Sequence, residues 1–421
     1  MNKKLLFVFF LTAVSTTQGQ SGPAPRATPC TGGLQLPDGF CATLFADSVN
    51  GARHLVVAPN GDVFVNTRSR GEAGGGIVAL RDTNRDGKAD VRQHFGAGVG
   101  TGIALQGNNL YATSGNSIVR YRIASGSLTP VGKPDTIVTG LPMSGSHHSH
   151  NFVLQDGSLF VNIGSASNAC QERDRQSQSA GHDPCTELNT RAGIWEFDAN
   201  RLHQEEANGR RFATGLRNSV ALTRTSDGDL YATVHGRDQL HDNWPSLFTA
   251  EKSADNPGEE LVRIARGADY GWPYCYYDVD KRALVLAPEY GGDGTKTTRC
   301  ADKAAPLMAF PGHWAPNGMV FYTGNQFPAS YRGGVFIAFH GSWNRAPLPQ
   351  AGYLVAFVPF QGDSVSGAYE VFADGFAGAN KQPDAAAHRP AGVAVGPDGA
   401  LYIADDLHGR VWRVTYHGTG Q

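Results

Sequence analysis

The chain has no marked excess of either charge: 36 basic residues stand against 38 acidic ones in 421. A nucleic-acid binder needs a marked basic surplus to neutralise phosphates, so that partner class is set aside and a small neutral or locally charged ligand is favoured. Long apolar runs are missing too. The run from Leu5 to Val14 follows Lys3 and Lys4 and gives way to small polar residues, the pattern of a secretory signal peptide over residues 1–20, with removal expected near Gly19 to Ser21. It is shorter than the roughly 20 apolar residues a bilayer requires, and no later stretch comes closer, so no membrane span is expected. The chain is therefore expected to be exported, to a periplasm or to the medium. A leader over 21–35 precedes a single domain over 36–421.

Helix-period patterning is scarce, whereas glycine (53) and proline (23) are plentiful, a composition that suits many short strands joined by turns. Certain motifs are absent as well. Without C-x-x-C-H there is no covalent c-type haem, so any electrons handled leave to a separate carrier, a cytochrome or a quinone pool. Without G-x-S-x-G a serine hydrolase is disfavoured. Gly74, Gly76 and Ala79 match G-x-G-x-x-A, but no helix pattern follows them, which argues against a nicotinamide fold. Six cysteines in an exported chain should pair, and fifteen pairings exist in principle. Short loops cost the least entropy to close, which selects Cys30 with Cys41, Cys170 with Cys185 and Cys275 with Cys300.

What is present is a repeat. An alternating strand, a turn built on Asp or Asn with Gly, and a second strand recur from Val56, Ile103, Phe152, Ala221, Met319 and Val393. Asn-Gly and Asp-Gly tolerate the positive φ of a tight hairpin. Further strands follow several copies, as in Ser117 to Ile123, Ala192 to Asp198 and Gly409 to Tyr416. Six units of about four strands predict an all-β, six-bladed propeller, with the strand Phe40 to Ala46 closing the last blade. The widest gaps precede Ala221 and Met319, so long loop insertions are expected there, on one face.

The loops hold the chemistry. SGSHHSHN, from Ser144 to Asn151, crowds His147, His148 and His150 before an apolar strand, offering a proton acceptor near neutrality or metal ligands. DTNRDGKAD places Asp82, Asn84, Asp86 and Asp90 in the alternating oxygen pattern a calcium ion requires, although Gln93 stands where a full EF-hand loop has Glu. Asp238 and Asp255, with Asp242 and Glu259, are candidates for a second calcium. Tyr270 and Trp272 could wall a flat ring or a sugar. His340, Trp343 and Arg345 fall in the excursion FHGSWNRAP. Arg217 with Asn218, Arg345 and Arg389 each stand at an inner-strand boundary in a different repeat. Three guanidiniums aimed at one axial point would select a polyanion.

LPDGF, RDTNRDGKAD, the HH pair before FVLQDGSLFVNIGS, FATGLRNSVAL, ADYGWPYCYYD, FHGSWNR and RPAGVAVGPDGALYIADD span nearly all of the mature chain. In these pieces it resembles the soluble quinoprotein sugar dehydrogenases, in particular the sorbosone/pyranose dehydrogenase branch that uses pyrroloquinoline quinone. The resemblance implies a six-bladed propeller and a planar tricarboxylate cofactor held by calcium and arginines. It assigns the general base to His147, with His148 as its rival, and the quinone-binding pair to Arg217 and Asn218, where Arg217 also stabilises charge on the quinone oxygen. Arg389 would hold a cofactor carboxylate. Beside what the resemblance implies, Trp343 is expected with Tyr270 and Trp272 to contact substrate. Two departures stand out. IGS replaces the IGD of the glucose-specific branch (Ile163 to Ser165), and the lysine that branch uses near the fifth copy is absent, leaving His340 or Arg345 in its place. The expected function is oxidation of an aldose or sugar aldehyde by hydride transfer to calcium-bound pyrroloquinoline quinone. A calcium-dependent propeller lactonase or hydrolase, and a non-catalytic carbohydrate-binding propeller, are the alternatives.

Overall fold

A computed structural model describes residues 30, 32–68 and 75–418. The signal peptide, most of the leader and Gly74 lie outside the described residues. Alternating apolar strands separated by glycine turns cannot bury both faces alone, so they stack as radial sheets. Six units result, five of four strands and one of five, where Gln204–Glu205 adds to the outer edge of the second blade; each begins at the centre, and Ala52–Val57, Ile103–Gln106, Phe152–Gln155, Leu222–Arg224, Pro316–Phe321 and Pro390–Val395 are the innermost strands. The expected six-bladed propeller is borne out, and so is its closure. Phe40–Ala46 pairs antiparallel with Val411–Tyr416, so the two ends of the domain share the last blade. Aromatic and branched side chains fill the gaps between blades, with Trp412, Tyr231 and Phe336 fully buried.

Asn-Gly and Asp-Gly do occupy the hairpin turns, with Gly61, Gly157 and Gly228 at positive φ. Two insertions cover one face. Residues 166–191 are tied by Cys170–Cys185, and the second, residues 235–258 between two strands of the fourth blade, carries the only two α-helices among the described residues, Leu240–Asn243 and Ala250–Asp255. The other disulfides join Cys30 with Cys41 and Cys275 with Cys300, as expected. No described helix is long and apolar enough to cross a membrane.

Candidate active site

In each blade the first strand leaves one face of the ring and the second returns to it. The head of the first and the end of the second therefore meet at that face, as Pro390 meets Asp405. Both positions ring the axis at that face, around what is termed the well. Strand heads bring Arg53, Arg217 with Asn218, and Arg389; strand ends bring Ser165, His235, His340 and Asp406.

His147 is half-buried, and its Nδ1 lies 2.9 Å from Ser165 Oγ and 3.1 Å from Ser165 O. A carbonyl can only accept, and Ser165 Oγ already donates to Ser167 O at 2.7 Å, so the ring proton sits on Nδ1 and Nε2 keeps its lone pair. The serine of IGS is thus the partner that orients this histidine. Burial, reinforced by Arg217 and His235, holds the imidazole well below its ordinary value. Gly164 permits the approach, because a Cβ there would stand 2.6 Å from His147 Cβ and 3.3 Å from Asn218 Oδ1. The rival base His148 is exposed, and His150 is buried with Nε2 on Pro142 O at 2.9 Å.

Arg217 is buried beneath this loop. Nε and Nη2 bind Asn168 O and Oδ1, Nη1 binds Gly236 O at 2.8 Å, and Nη2 also pairs with Asp238 at 3.0 Å. One Nη1 hydrogen is left over. Burial opposes the charge on Asp238, but Arg217, His313 and Arg175 outweigh it and hold the carboxyl well below the usual range. His235, next round the well, donates from Nε2 to Pro316 O at 3.0 Å and faces Asn218 Nδ2 at 3.4 Å; burial lowers it to about 4. His340 follows, bonded to the wholly buried Asp406 at 2.7 Å, and Arg389 lies over the backbone carbonyls of His340 and Gly341 at 3.0 and 2.7 Å. Each member perturbs the next: His147 senses Arg217 and His235, His235 senses His340, and His340 senses Arg389 and Arg53.

Several expectations need correction. Arg345 is a brace, with Nη1 on Asp255 and on Gly312 O, both at 2.8 Å, and Nε on Pro349 O. Asp255 is thereby committed to Arg345 and Asp238 to Arg217 and Arg175, so these two acids do not form a shared calcium cage. Tyr270 belongs to the core between the third and fourth blades, its hydroxyl donating to Arg263 O. Trp272 is also buried, and its Nε1 shares Asn168 O with Arg217 at 3.0 Å; neither ring walls a sugar. Trp343 is different: it is 57% exposed, beside Asn344, whose Nδ2 binds Asp238 at 3.0 Å. Asp82, Asn84, Asp86 and Asp90 lie beyond the strand end at Arg81, which pairs with Val91, on the face away from the well. Their oxygens fold back on the loop: Asp82 accepts from the Arg85 and Gly87 amides, and Asp90 from Thr83. Sequence reasoning missed Arg53, Ser165, His235 and Asp406 as site residues. Their register, at strand heads and strand ends, was the available signal.

A propeller whose insertion-covered face gathers guanidiniums and neutral imidazoles around one axis is the class that fold and site define together. The chain belongs to the TrAA12-like family, whose model matches residues 34–417. This bears out the resemblance to the soluble quinoprotein sugar dehydrogenases. A curated relative, the pyrroloquinoline quinone-dependent pyranose dehydrogenase of Coprinopsis cinerea, is 25% identical over 444 residues, covering 92% of this chain and 53% of its own. The chain thus spans about half the length of the curated relative it matches. Among solved structures, the holo pyranose dehydrogenase quinone domain from Coprinopsis cinerea superposes with a TM-score of 0.72 at 21% identity, over 93% of this chain and 98% of that one. A calcium structure of the Trichoderma reesei carbohydrate-active family AA12 protein gives 0.75 at 19%, over 91% and 97%. At these identities the structures speak for the fold.

Proposed function

We propose that this protein is an exported dehydrogenase that oxidises an aldose or related sugar aldehyde with pyrroloquinoline quinone and calcium, passing electrons to a separate acceptor. The observation that carries the reading is the meeting of an oriented, neutral imidazole at His147 with the buried guanidinium of Arg217 across Gly164 and Asn218.

The donor set suits a flat tricarboxylate. Arg53, Arg68, Arg217 and Arg389 outnumber the carboxylates of Asp238 and Asp406 around the well. Asn218 Oδ1 and Asn344 Oδ1 are buried without a protein partner, acceptors of the kind a sugar hydroxyl or a cation would take. When bound, the quinone supplies the two-electron acceptor. His147 Nε2 takes the substrate hydroxyl proton, with Ser165 holding the ring in the required tautomer. Arg217, kept rigid by Asn168 and Asp238, contributes positive charge, and Arg389 and His340 contribute the opposite wall. Trp343 offers its exposed ring to the sugar. The loop of Asp82, Asn84, Asp86 and Asp90, on the opposite face, keeps the alternating oxygen side chains for which we propose a structural calcium.

A hydrolase would instead need carboxylates around the axial ion, and here the acids are consumed by arginines. Adding quinone and calcium to the apoprotein should give sugar-dependent dye reduction. His147→Ala should still take up the quinone while turnover falls by 100-fold or more, on the order expected for a general base. Dye reduction absent from quinone-loaded wild type, or undiminished in His147→Ala, would refute the reading.

A further inference from the structure

Two imidazoles in the well are held in opposite senses. His147 carries its proton on Nδ1 and is backed by a serine. His340 donates from Nε2 to Asp406 Oδ1 at 2.7 Å, and its Nδ1 makes no hydrogen bond to any described residue. Asp406 is charged: Arg53 and Arg68 lie 3.0 and 3.1 Å from its Oδ2 and, together with His340, overcome the opposition of burial and keep the carboxyl well below its usual range. A charged acceptor behind Nε2 fixes the tautomer and leaves the Nδ1 lone pair as the face presented to a ligand.

An anionic ligand meets that lone pair badly, since two acceptors oppose each other, and a proton on Nδ1 turns the clash into a charge-assisted bond. We propose that His340, backed by Asp406, is the second acid–base group of the well, its Nδ1 taking one proton from solvent as a flat polycarboxylate seats against it. The proposal rests on the quinone reading above and deepens it. No covalent bond in the ligand changes: the buffer acid gives up a proton and the imidazole gains it.

The electrostatics agree. Among the described residues, the charged and titratable groups facing His340 are Asp406, Arg53, Arg68, Arg389 and His235. With the well empty of anions, burial, aided by Arg389 and Arg53, outweighs Asp406 and lowers His340 to about 4. An opposite charge within about 4–6 Å raises such a group by roughly 1–3 units. His340 then crosses from neutral to charged within the mildly acid range, where binding gains a proton. Asp406 acts through His340 and is a positioning residue.

Calorimetric titration of the apoprotein with pyrroloquinoline quinone at about pH 5.5, in buffers of different ionisation enthalpy, reads the proton count directly. Wild type should take up close to one proton more per quinone than His340→Gln, and the quinone affinity of wild type should rise about tenfold for each unit fall in pH within the window. Asp406→Asn should reduce the count while still binding quinone, whereas a change confined to packing would leave the count intact. Equal proton uptake by wild type and His340→Gln overturns the proposal. If His340→Gln does not fold, a wild-type affinity independent of pH overturns it equally. Failure of wild type to bind quinone at all is a different result, and it removes the quinone reading itself.

Discussion

At the residue scale the site depends on small differences in support. A serine in place of an acid behind His147 leaves the base neutral, with a defined tautomer and no carboxylate bonded to its Nδ1. Since the imidazole lies well below its ordinary value, it stays deprotonated through neutral and mildly acid pH. Gly164 is the residue on which this geometry turns. Gly164→Ala places a methyl 2.6 Å from His147 Cβ, so the histidine loop must shift. A loss of about 1–3 kcal/mol in stability is expected from the overpacking, with a larger proportional loss in turnover, and parallel melting and dye-reduction assays separate the two.

The same scale shows what was legible beforehand. His147, Arg217 and Arg389 stood out because histidine pairs and lone arginines before apolar strands are conspicuous. Tyr270 and Trp272 misled because aromatic residues near a loop look alike whether they face ligand or core, and only the neighbouring blade decides. Asp406 was hidden in the string ADD, where Asp405 and Asp406 differ by one residue. The strand ends at Asp405, which ties His388 and the Arg389 amide, whereas Asp406, the first residue of the turn that follows, pairs with His340.

At the scale of elements, the insertion over residues 166–191 is more than a roof. Its Asn168 supplies both backbone and side-chain oxygens to Arg217 and the carbonyl for Trp272, and Cys170–Cys185 closes the loop that presents it. Replacing both cysteines by serine should cost about 3 kcal/mol for a loop of this length. Quinone affinity should fall beyond what stability alone explains, because Arg217 loses its mount; a quinone titration well below the variant's melting temperature checks this. The repeat made strands and turns predictable, since Asp-Gly and Asn-Gly state their geometry locally. Insertions lack such periodicity, and the pairing of Arg345 with Asp255 across 90 residues has no local signature.

At the scale of the whole molecule, ring closure by Phe40–Ala46 on Val411–Tyr416 ties the chain ends together and fixes where Arg389 and Asp406 stand relative to Arg53. Bringing many polar groups to one buried centre makes stability depend on pH from both sides. His54, His150, His235 and His340 are each lowered by burial to about 4. Such a group contributes fully above its unfolded value of roughly 6.5 and loses that contribution as pH falls. Glu259 and Glu260, raised by burial to about 7 and about 8, behave oppositely: their contribution is full below the ordinary carboxyl range and is lost as pH rises. Below roughly pH 6.5 the four histidines outnumber the two acids, and above it only the acids act. The apoprotein should melt highest near pH 6.5, dropping by roughly 5 °C or more by pH 5 and also declining toward pH 8. A melting temperature that climbs steadily from pH 6.5 to 8 would contradict this.

The central claim is that side chains distant in sequence form one anion-binding well. An absorbance titration of apoprotein with pyrroloquinoline quinone, comparing wild type with Arg217→Ala and Arg389→Ala, tests it most directly. Wild type should saturate at one quinone per chain, and each arginine variant should bind at least tenfold more weakly, since a charge-assisted hydrogen bond is worth roughly 1.5–3 kcal/mol. Uptake by both variants equal to that of wild type would contradict the account.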